Sequence, residues 1–253
     1  LSLQVLRAGR HLLCEKPLGV NGSECLRLLE AVRGSGCVAS CSNYRRLAEQ
    51  VRISVAMVEA GEIGRLVGGW AIYSTPFYNP GKAPIRRDLG SSRIKELGYY
   101  IIDIAHNLFG MPVTAMTQAS TIDKARMNDV DDIATVVLTF PDGAIFTIIF
   151  SCHSPGTRHE LEFFGTKGRI HLPEWPPHGN GPVIKITDGG TETIEAHTDE
   201  NWHLPMIEDY VDALLTGRSP VCTIESATRT EIITDAIFRS MDSGTVARVK
   251  WES

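Results

Sequence analysis

Long hydrophobic runs and basic clusters are both missing from this 253-residue sequence. The longest apolar stretches, Ala134 to Leu138 and Ala144 to Phe150, are far too short to cross a bilayer. The 25 Lys and Arg against 30 Asp and Glu give a net charge of −5, so the electrostatic footprint of a nucleic-acid partner is lacking. With 43% hydrophobic and 22% charged residues, the composition excludes disordered and fibrous classes and indicates one large or two small folded domains.

The six cysteines, at positions 14, 25, 37, 41, 152 and 222, form no C-x-x-C pair and no disulfide framework. Reduced thiols are the simplest interpretation, and they predict a cytoplasmic protein. Neither G-x-S-x-G nor H-E-x-x-H occurs, so a hydrolase has no motif in its support.

A strand, a helix and a second strand are predicted at the start of the sequence. His11 to Cys14 is apolar, and the helix from about Gly22 carries Cys25, Leu28, Leu29 and Val32 on one face. Cys37 to Cys41 is the second strand, and the alternation is typical of a parallel α/β sheet. A further helix is predicted over Leu47 to Glu59.

From Leu66 onward the pattern changes to strands with period-two alternation. Ile133 to Phe140 and Ala144 to Phe150 flank the turn Pro141-Asp142-Gly143, which predicts an antiparallel pair. The sequence therefore predicts a large, mainly antiparallel sheet with helices on one face. The remaining predicted elements are strands at 69–74, 159–164, 169–172, 183–187, 192–196 and 246–249, and helices at 94–109, 204–215 and 226–241.

Both faces of this predicted sheet carry apolar side chains. Phe146, Ile148 and Phe150 alternate with Ile145 and Ile149, which indicates that both faces are at least partly covered. A second copy of the chain would cover the open face, so we expect a homo-oligomer, a dimer or tetramer. The alternative is a mixed, solvated face.

Glu15-Lys16-Pro17 follows the first strand at its carboxyl end, where open α/β sheets bind ligands. Partial burial lowers the pKa of a lysine in such a place and suits it to acid–base chemistry. Taken alone, the three residues also fit an ordinary surface loop.

A second group lies on the predicted helix after Ile94. Glu96, Tyr100 and Asp103 fall on one helical face, and Gly98 permits close approach of another backbone. A phenol becomes a usable acid or base when a lysine ammonium lies close to it. An amphipathic helix with a tyrosine at its core boundary explains the pattern equally well.

His197, Asp199, Glu200 and His203 lie together before a helix, a composition that could bind a metal ion. A polar loop leading into the helix start is favoured, because acidic residues there suit the helix dipole. No metal site is predicted. His203 is also a candidate for the substrate pocket.

These segments together resemble the Gfo/Idh/MocA oxidoreductases, the glucose–fructose oxidoreductase and inositol dehydrogenase family. The resemblance is carried by Ala8 to Leu18 (AGRHLLCEKPL), Ser42-Asn43-Tyr44-Arg45, Gly61 to Arg65 (GEIGR), Glu96 to Gly110 and Gly165 to Gly168. It extends over nearly the whole chain. It implies a Rossmann-type sheet followed by an open-sheet domain, and transfer of a hydride between NAD or NADP and a hydroxyl of a sugar, polyol or related diol.

The resemblance also implies roles for particular residues. Lys16 matches the active-site lysine, which holds the reacting hydroxyl near the nicotinamide. Tyr100 occupies the place of the catalytic histidine, as the proton donor or acceptor. Glu96 stands where the family usually has Asp and is the third expected catalytic residue, which orients Lys16 and Tyr100. Cofactor contacts are implied for Glu15, Lys16, Pro17, Asn43 and Arg86, and substrate contacts for Lys16, Tyr100, Asp103 and His203.

Some positions depart from the family pattern on the substrate side. Ile85 replaces the usual Trp before Arg86, Gly90-Ser91-Ser92 replaces a glycine run, and Lys95 stands where an apolar residue is common.

A dinucleotide fold also needs G-x-G-x-x-G between its first strand and helix. The candidate here, Gly34 to Ala39, follows a predicted helix and precedes a strand, so it is interpreted as a helix end and turn. We therefore expect a chain that begins inside a Rossmann-type domain, with its remnant over 1–64 joined by the helix at 226–241. A substrate-binding and oligomerisation domain is expected over 65–225. The alternative hypothesis is a truncated, cofactor-free dimerisation or ligand-binding module without catalytic activity.

Overall fold

The first four elements of the computed structural model form a small parallel unit. They are α1 (Ser2–Arg7), β1 (Leu12–Cys14), α2 (Gly22–Ser35) and β2 (Ala39–Cys41). Strands β1 and β2 pair in parallel with Leu12 opposite Ala39, which confirms the predicted strand–helix–strand order. The structure describes residues 1–76, 92–127, 130–153, 156–175, 181–197 and 200–251.

Local sequence signals set the limits of α2. The side chain of Asn21 accepts a hydrogen bond from the backbone N–H of Glu24 and caps the helix start. Gly36 ends the helix with φ 65°, a left-handed conformation that favours glycine. The Gly34–Gly36 segment is thus a helix end, as predicted. Next come a 3₁₀ turn (Tyr44–Leu47) and α3 (Glu49–Glu59).

A nine-stranded sheet, the large sheet, forms the second part of the described chain. Its spatial order is β10-β9-β8-β7-β3-β6-β5-β4-β11. The neighbouring strands are antiparallel except for β3 and β6, which run parallel. A mainly antiparallel sheet is therefore confirmed. The strands are β3 (Leu66–Ser74), β4 (Thr114–Ser120), β5 (Ile133–Thr139), β6 (Ile145–Ser151), β7 (Arg158–Gly165), β8 (Gly168–Leu172), β9 (Val183–Thr187), β10 (Gly190–Ile194) and β11 (Ala247–Arg248).

Helix α4 (Arg93–Phe109) lies across the inner face of the large sheet, against β3 and β6. Ile101, Ile102 and Ala105 are fully buried in this contact. Gly98 allows the close approach, because a Cβ at this position would lie 2.6 Å from Cζ of Phe150. The remaining described helices are α5 (Lys124–Met127), α6 (Leu204–Thr216) and α7 (Ile224–Ser243).

Helix α7 packs against both parts of the molecule. On one side it contacts α2, where Asp235 accepts a 2.8 Å hydrogen bond from the backbone N–H of Gly22. On the other side it contacts α4 and β4, and Oγ of Ser240 accepts a hydrogen bond from the N–H of Thr117. One helix therefore joins the small parallel unit to the large sheet.

The two faces of the large sheet differ in exposure. Phe146, Ile148 and Phe150 are almost completely buried beneath the helices, as expected. On the opposite face, Ile145 is 49% and Ile149 is 38% exposed in the single chain. Helices therefore cover one face and leave the other open. Within the described ranges, no helix combines the length and the apolar character needed to cross a membrane.

Candidate active site

Lys16 lies directly after β1, at the carboxyl end of the small parallel sheet. Its Nζ donates a 2.8 Å hydrogen bond to the backbone carbonyl of Glu96 and lies 4.7 Å from the centre of the Tyr100 ring. The side chain is partly exposed, so a ligand in solution can reach the ammonium group. The structure thus brings together two candidates that are 84 positions apart in the sequence.

Burial lowers the pKa of Lys16 below its ordinary value. The positive charge of Arg45 acts in the same direction, while the nearby carboxylates of Glu96 and Glu15 partly oppose the shift. The lysine is therefore easier to deprotonate than a solvated one. The carboxylate of Glu96 contributes through its charge, whereas the direct contact with Lys16 is made by its backbone.

Tyr100 is 5% exposed and lies among other rings. The ring of Tyr44 packs edge-on against it, with centroids 5.1 Å apart, and the guanidinium carbon of Arg45 lies 4.3 Å from its centre. Burial and hydrogen bonding with Tyr44 raise the pKa of Tyr100 well above its ordinary value. The phenol is therefore fully protonated at neutral pH.

His203 joins this aromatic group from the start of α6. Its ring centroid lies 4.2 Å from that of Tyr44, which in turn contacts Tyr100. His203 thus lies one ring away from Tyr100, and its contact with substrate stays a prediction. Its neighbour in the predicted polar loop, Asp199, lies outside the described residues.

Asp103 lies one turn after Tyr100 but takes part in a different set of contacts. Its carboxylate is 1% exposed and forms an ion pair with Arg46, whose Nε lies 2.8 Å from Oδ2. It also accepts a 2.8 Å hydrogen bond from Asn43 and approaches Ser226 and Thr230 of α7. These contacts engage the carboxylate within the fold, and the substrate contact implied for Asp103 stays a prediction.

These partners stabilise the ionised form of Asp103. Burial alone would raise the pKa of this carboxyl, but Arg46 and a hydrogen bond from His106 hold it below its usual value. Burial lowers the pKa of His106, so its ring is neutral at neutral pH. The network fixes the segment from Asn43 to Arg46 on α4, and that segment carries Tyr44 and Arg45.

Arg45 is a site residue that sequence reasoning missed as a functional candidate. It is 4% exposed and its guanidinium lies near the rings of Tyr100, Tyr73 and Trp175, at 4.3, 5.3 and 5.3 Å. The sequence feature that could have identified Arg45 is its place beside Asn43 and Tyr44 in the segment Ser42 to Arg45. Its aromatic surroundings come from β3 and from the segment after β8, which no local pattern connects to it.

Two other candidates lie beside Lys16, and a third is not among the described residues. Glu15 and Pro17 flank Lys16 but are exposed, and Oε2 of Glu15 accepts a hydrogen bond from the backbone N–H of Lys16. Arg86, with Ile85 and Gly90 beside it, lies outside the described residues.

The residues present fit the reactive end of a nicotinamide cofactor. The N–H of Ser42 donates to the carbonyl of Cys14, so the carboxyl ends of β1 and β2 lie side by side. Oδ1 of Asn43 is buried there and has no hydrogen-bond partner among the described residues, an acceptor of the kind that a carboxamide requires. The glycines at 34 and 36 end α2 and do not offer a phosphate cradle.

Comparison with known proteins gives a consistent result. Residues 51–171 match the GFO/IDH/MocA C-terminal domain. An uncharacterised oxidoreductase of Rhizobium meliloti is 25% identical over 100% of this chain and 75% of its own length.

Solved structures agree in fold. An aldose–aldose oxidoreductase from Caulobacter crescentus, crystallised with glycerol, superimposes with a TM-score of 0.86 at 21% identity, covering 98% of this chain and 74% of the other. A levoglucosan dehydrogenase in complex with NADH and levoglucosan gives a TM-score of 0.88 at 19% identity, covering 98% and 76%. The chain therefore shares the fold of these two solved oxidoreductases, and its residues 51–171 match the C-terminal domain of the Gfo/Idh/MocA family.

Proposed function

We propose that the protein is an NAD(P)-dependent oxidoreductase that transfers a hydride between a nicotinamide cofactor and a hydroxyl of a sugar, polyol or related diol. The observation that carries the proposal is the contact of Lys16 Nζ with the Tyr100 ring at the end of β1. Similar proteins named for aldoses and for levoglucosan, one of them bound to NADH, support this class of substrate and cofactor.

Lys16 and Tyr100 divide the proton chemistry between them. The lowered pKa of Lys16 makes its amine the better acceptor for the hydroxyl proton during oxidation. The raised pKa of Tyr100 keeps its phenol as a donor that holds the same oxygen, or protonates it during reduction. Opposite pKa shifts in two adjacent groups are a general sign of acid and base roles.

A nicotinamide, when bound, accepts or supplies the hydride. Lys16 and Asn43, with Glu15 and Pro17 beside them, would hold its reactive end. The aromatic rings of Tyr44 and Tyr100 exclude water from the side of Lys16 that faces α4. NAD and NADP fit this end equally well, because they differ only at the ribose 2′ position. The six cysteines all lie in the described part of the chain and form no disulfide there, which supports the reducing cytoplasm in which we propose that the enzyme works.

A second candidate function is a cofactor-free binding module. A phosphate-binding loop would precede a helix. The candidate segment, Gly34 to Ala39, instead lies at the end of α2, and this position favours the module. Titration of the chain with NAD and NADP, followed by nicotinamide fluorescence, separates the two. Saturation at micromolar cofactor contradicts the module, and no saturation up to millimolar concentration contradicts the enzyme.

Replacement of Lys16 by Met tests the proposed chemistry. We expect kcat/KM for NAD(P)-linked oxidation of levoglucosan, aldoses or inositol to fall by about 10²- to 10⁴-fold, since a positioned acid–base group is lost. Thermal stability should stay close to the unmodified value, because a desolvated ammonium costs stability that Met does not. Cofactor affinity should fall much less than kcat/KM, because Asn43 and the neighbours of Lys16 would still hold the reactive end. Lys124→Met, at an exposed position, is the matched control. Full turnover in K16M would remove Lys16 from the mechanism.

A further inference from the structure

Arg45 is a buried cation that the proposed reaction does not use. Its side chain is 4% exposed, and Nη2 donates a 3.1 Å hydrogen bond to the hydroxyl of Tyr73. Nε and Nη1 are also buried, and neither has a hydrogen-bond partner among the described residues. A guanidinium that leaves donors unsatisfied in a buried place costs free energy, because water no longer solvates them.

Two other cations with little exposure, Lys95 and Arg46, each have a carboxylate partner. Lys95, 2% exposed, forms a 2.9 Å ion pair with Glu231 and donates to two backbone carbonyls. Arg46 forms its ion pair with Asp103. Within the described ranges, Arg45 has no such carboxylate. Among the described residues, its charge is met by ring faces and by the hydroxyl of Tyr73.

The position of Arg45 places this charge inside the candidate active site. Two cations lie near the centre of the Tyr100 ring, with Lys16 Nζ at 4.7 Å and the guanidinium carbon of Arg45 at 4.3 Å. Arg45 is close enough for its charge to lower the pKa of Lys16. Cation–π contacts with ring faces stabilise a guanidinium only in part and leave the donors in its plane free for another partner.

We propose that Arg45 binds an anionic group of the substrate, and that the substrate is a sugar acid whose carboxylate is held by Arg45 while Lys16 holds the reacting hydroxyl. This inference rests on the proposed function and names its substrate class. A planar carboxylate of charge −1 matches one guanidinium in charge and shape. A phosphate, with about −1.5 to −2 at neutral pH, requires more donors than Arg45 alone supplies.

The test compares two ligands that differ only at one carbon. D-Glucuronate and D-glucose share the same ring, but one carries a carboxylate where the other carries a hydroxymethyl group. We expect isothermal titration of the full chain to show 10- to 100-fold tighter binding of D-glucuronate, equivalent to about 1.4–2.8 kcal/mol. D-Glucose 6-phosphate should bind more weakly than D-glucuronate.

Variants connect this preference to Arg45. Arg45→Gln should bring the ratio of the two affinities close to 1, and Arg45→Lys should restore part of it. Arg52→Gln, on the exposed side of α3, should leave the ratio unchanged. Circular dichroism establishes that the variants are folded. Should R45Q not fold, R45K and the ligand comparison on the unmodified chain still decide the question.

Equal affinity for D-glucuronate and D-glucose, a preference that persists in R45Q, or tighter binding of the phosphate would each overturn the inference. Different results would contradict the proposed function and the proposed role of Arg45. An acid preference that depends on Arg45 without any NAD(P)-linked turnover contradicts the oxidation chemistry alone. Turnover of neutral polyols at the same efficiency as of sugar acids contradicts the role of Arg45 alone.

Discussion

At the scale of residues, the ion pair of Asp103 with Arg46 governs how the segment from Asn43 to Arg46 is held on α4. Replacing Asp103 by Asn leaves Arg46 as an uncompensated buried charge, so we expect a loss of about 3–5 kcal/mol in the free energy of unfolding at pH 7. The matched control is Asp212→Asn, which removes an exposed partner of Arg218 and should cost at most about 1 kcal/mol. Urea denaturation measures both.

The same pair predicts an acid dependence. The pKa of Asp103 is lower in the folded than in the unfolded state, so its contribution is complete above about pH 4 and is lost as the pH falls below that value. The stability difference between the unmodified protein and D103N should therefore narrow between about pH 4 and pH 2. The pKa of His106 is also lower in the folded state. Its protonation therefore reduces the free energy of unfolding of both proteins as the pH falls below about 6.5. A difference that stays constant down to pH 3 would contradict this assignment.

At the level of residues, the sequence indicates positions that follow a strand end, but it carries no signal for contacts that depend on packing. Lys16 was placed by its position after β1, and its contact with Tyr100 is observed, although their roles stay proposals. The occupation of Asp103 by Arg46 and Asn43 could not be predicted, because helical spacing gives the face of a side chain and not its partner. The rings around Arg45 come from distant segments and leave no local signal.

At the scale of elements, the contact of α4 with β6 depends on Gly98. A methyl group at this position would meet the buried ring of Phe150, so we expect Gly98→Ala to destabilise the fold by about 1–3 kcal/mol. Gly34→Ala, in α2 with open space around its Cα, should instead stabilise it by about 0.5–1 kcal/mol through helix propensity. Thermal denaturation should therefore show a lower Tm for Gly98→Ala and a higher Tm for Gly34→Ala than for the unmodified protein.

A second-site change tests the cause. Gly98→Ala combined with Phe150→Leu should lose less stability than the sum of the two single changes, because the smaller side chain makes room for the new methyl group. Strict additivity would mean that Gly98 is needed for another reason.

The elements themselves were largely predictable from periodicity, since the predicted helices and strands appear with ends shifted by a few residues. Strand β4 was missed because Thr114–Ser120 carries small and polar side chains with little alternation. The parallel pairing of β3 with β6 was also missed. A meander predicted from chain order cannot show that β3 lies between β6 and β7, because the pairing joins strands about 70 residues apart.

At the scale of the whole molecule, the open face of the large sheet is the feature that a single chain leaves unexplained. Ile145 and Ile149 on β6, Ile133 on β5 and Met116 on β4 are exposed and point to the same side. We propose that a second copy of the chain covers this face. Light scattering after gel filtration should give at least a dimer, because a large exposed apolar patch favours association.

Charged substitutions on that face supply the test. The double change Ile145→Glu and Ile149→Glu should shift the particle to a monomer. Val211→Glu, on the exposed side of α6, is the control that should not change the mass. A monomeric unmodified chain, or an oligomer unaffected by the double change, would contradict the proposed interface.

The division of the chain near residue 64 also stays a proposal, although β3 begins at Leu66. Periodicity indicates the change from alternating strands and helices to successive strands near this residue. It cannot show that α7 packs against both the small parallel unit and the large sheet.

The position of α7 has a consequence for the order in which the chain can fold during synthesis. The apolar cluster of the small parallel unit combines Leu28 and Leu29 of α2 with Ile224 and Ala227 of α7. Residue 224 is made 189 positions after the end of α2 at Ser35 (224 − 35). At about 5–20 residues per second, the ribosome needs roughly 10–40 s to supply it. The small parallel unit is therefore made well before the helix that completes its core, and its apolar side chains stay uncovered on that side during the interval.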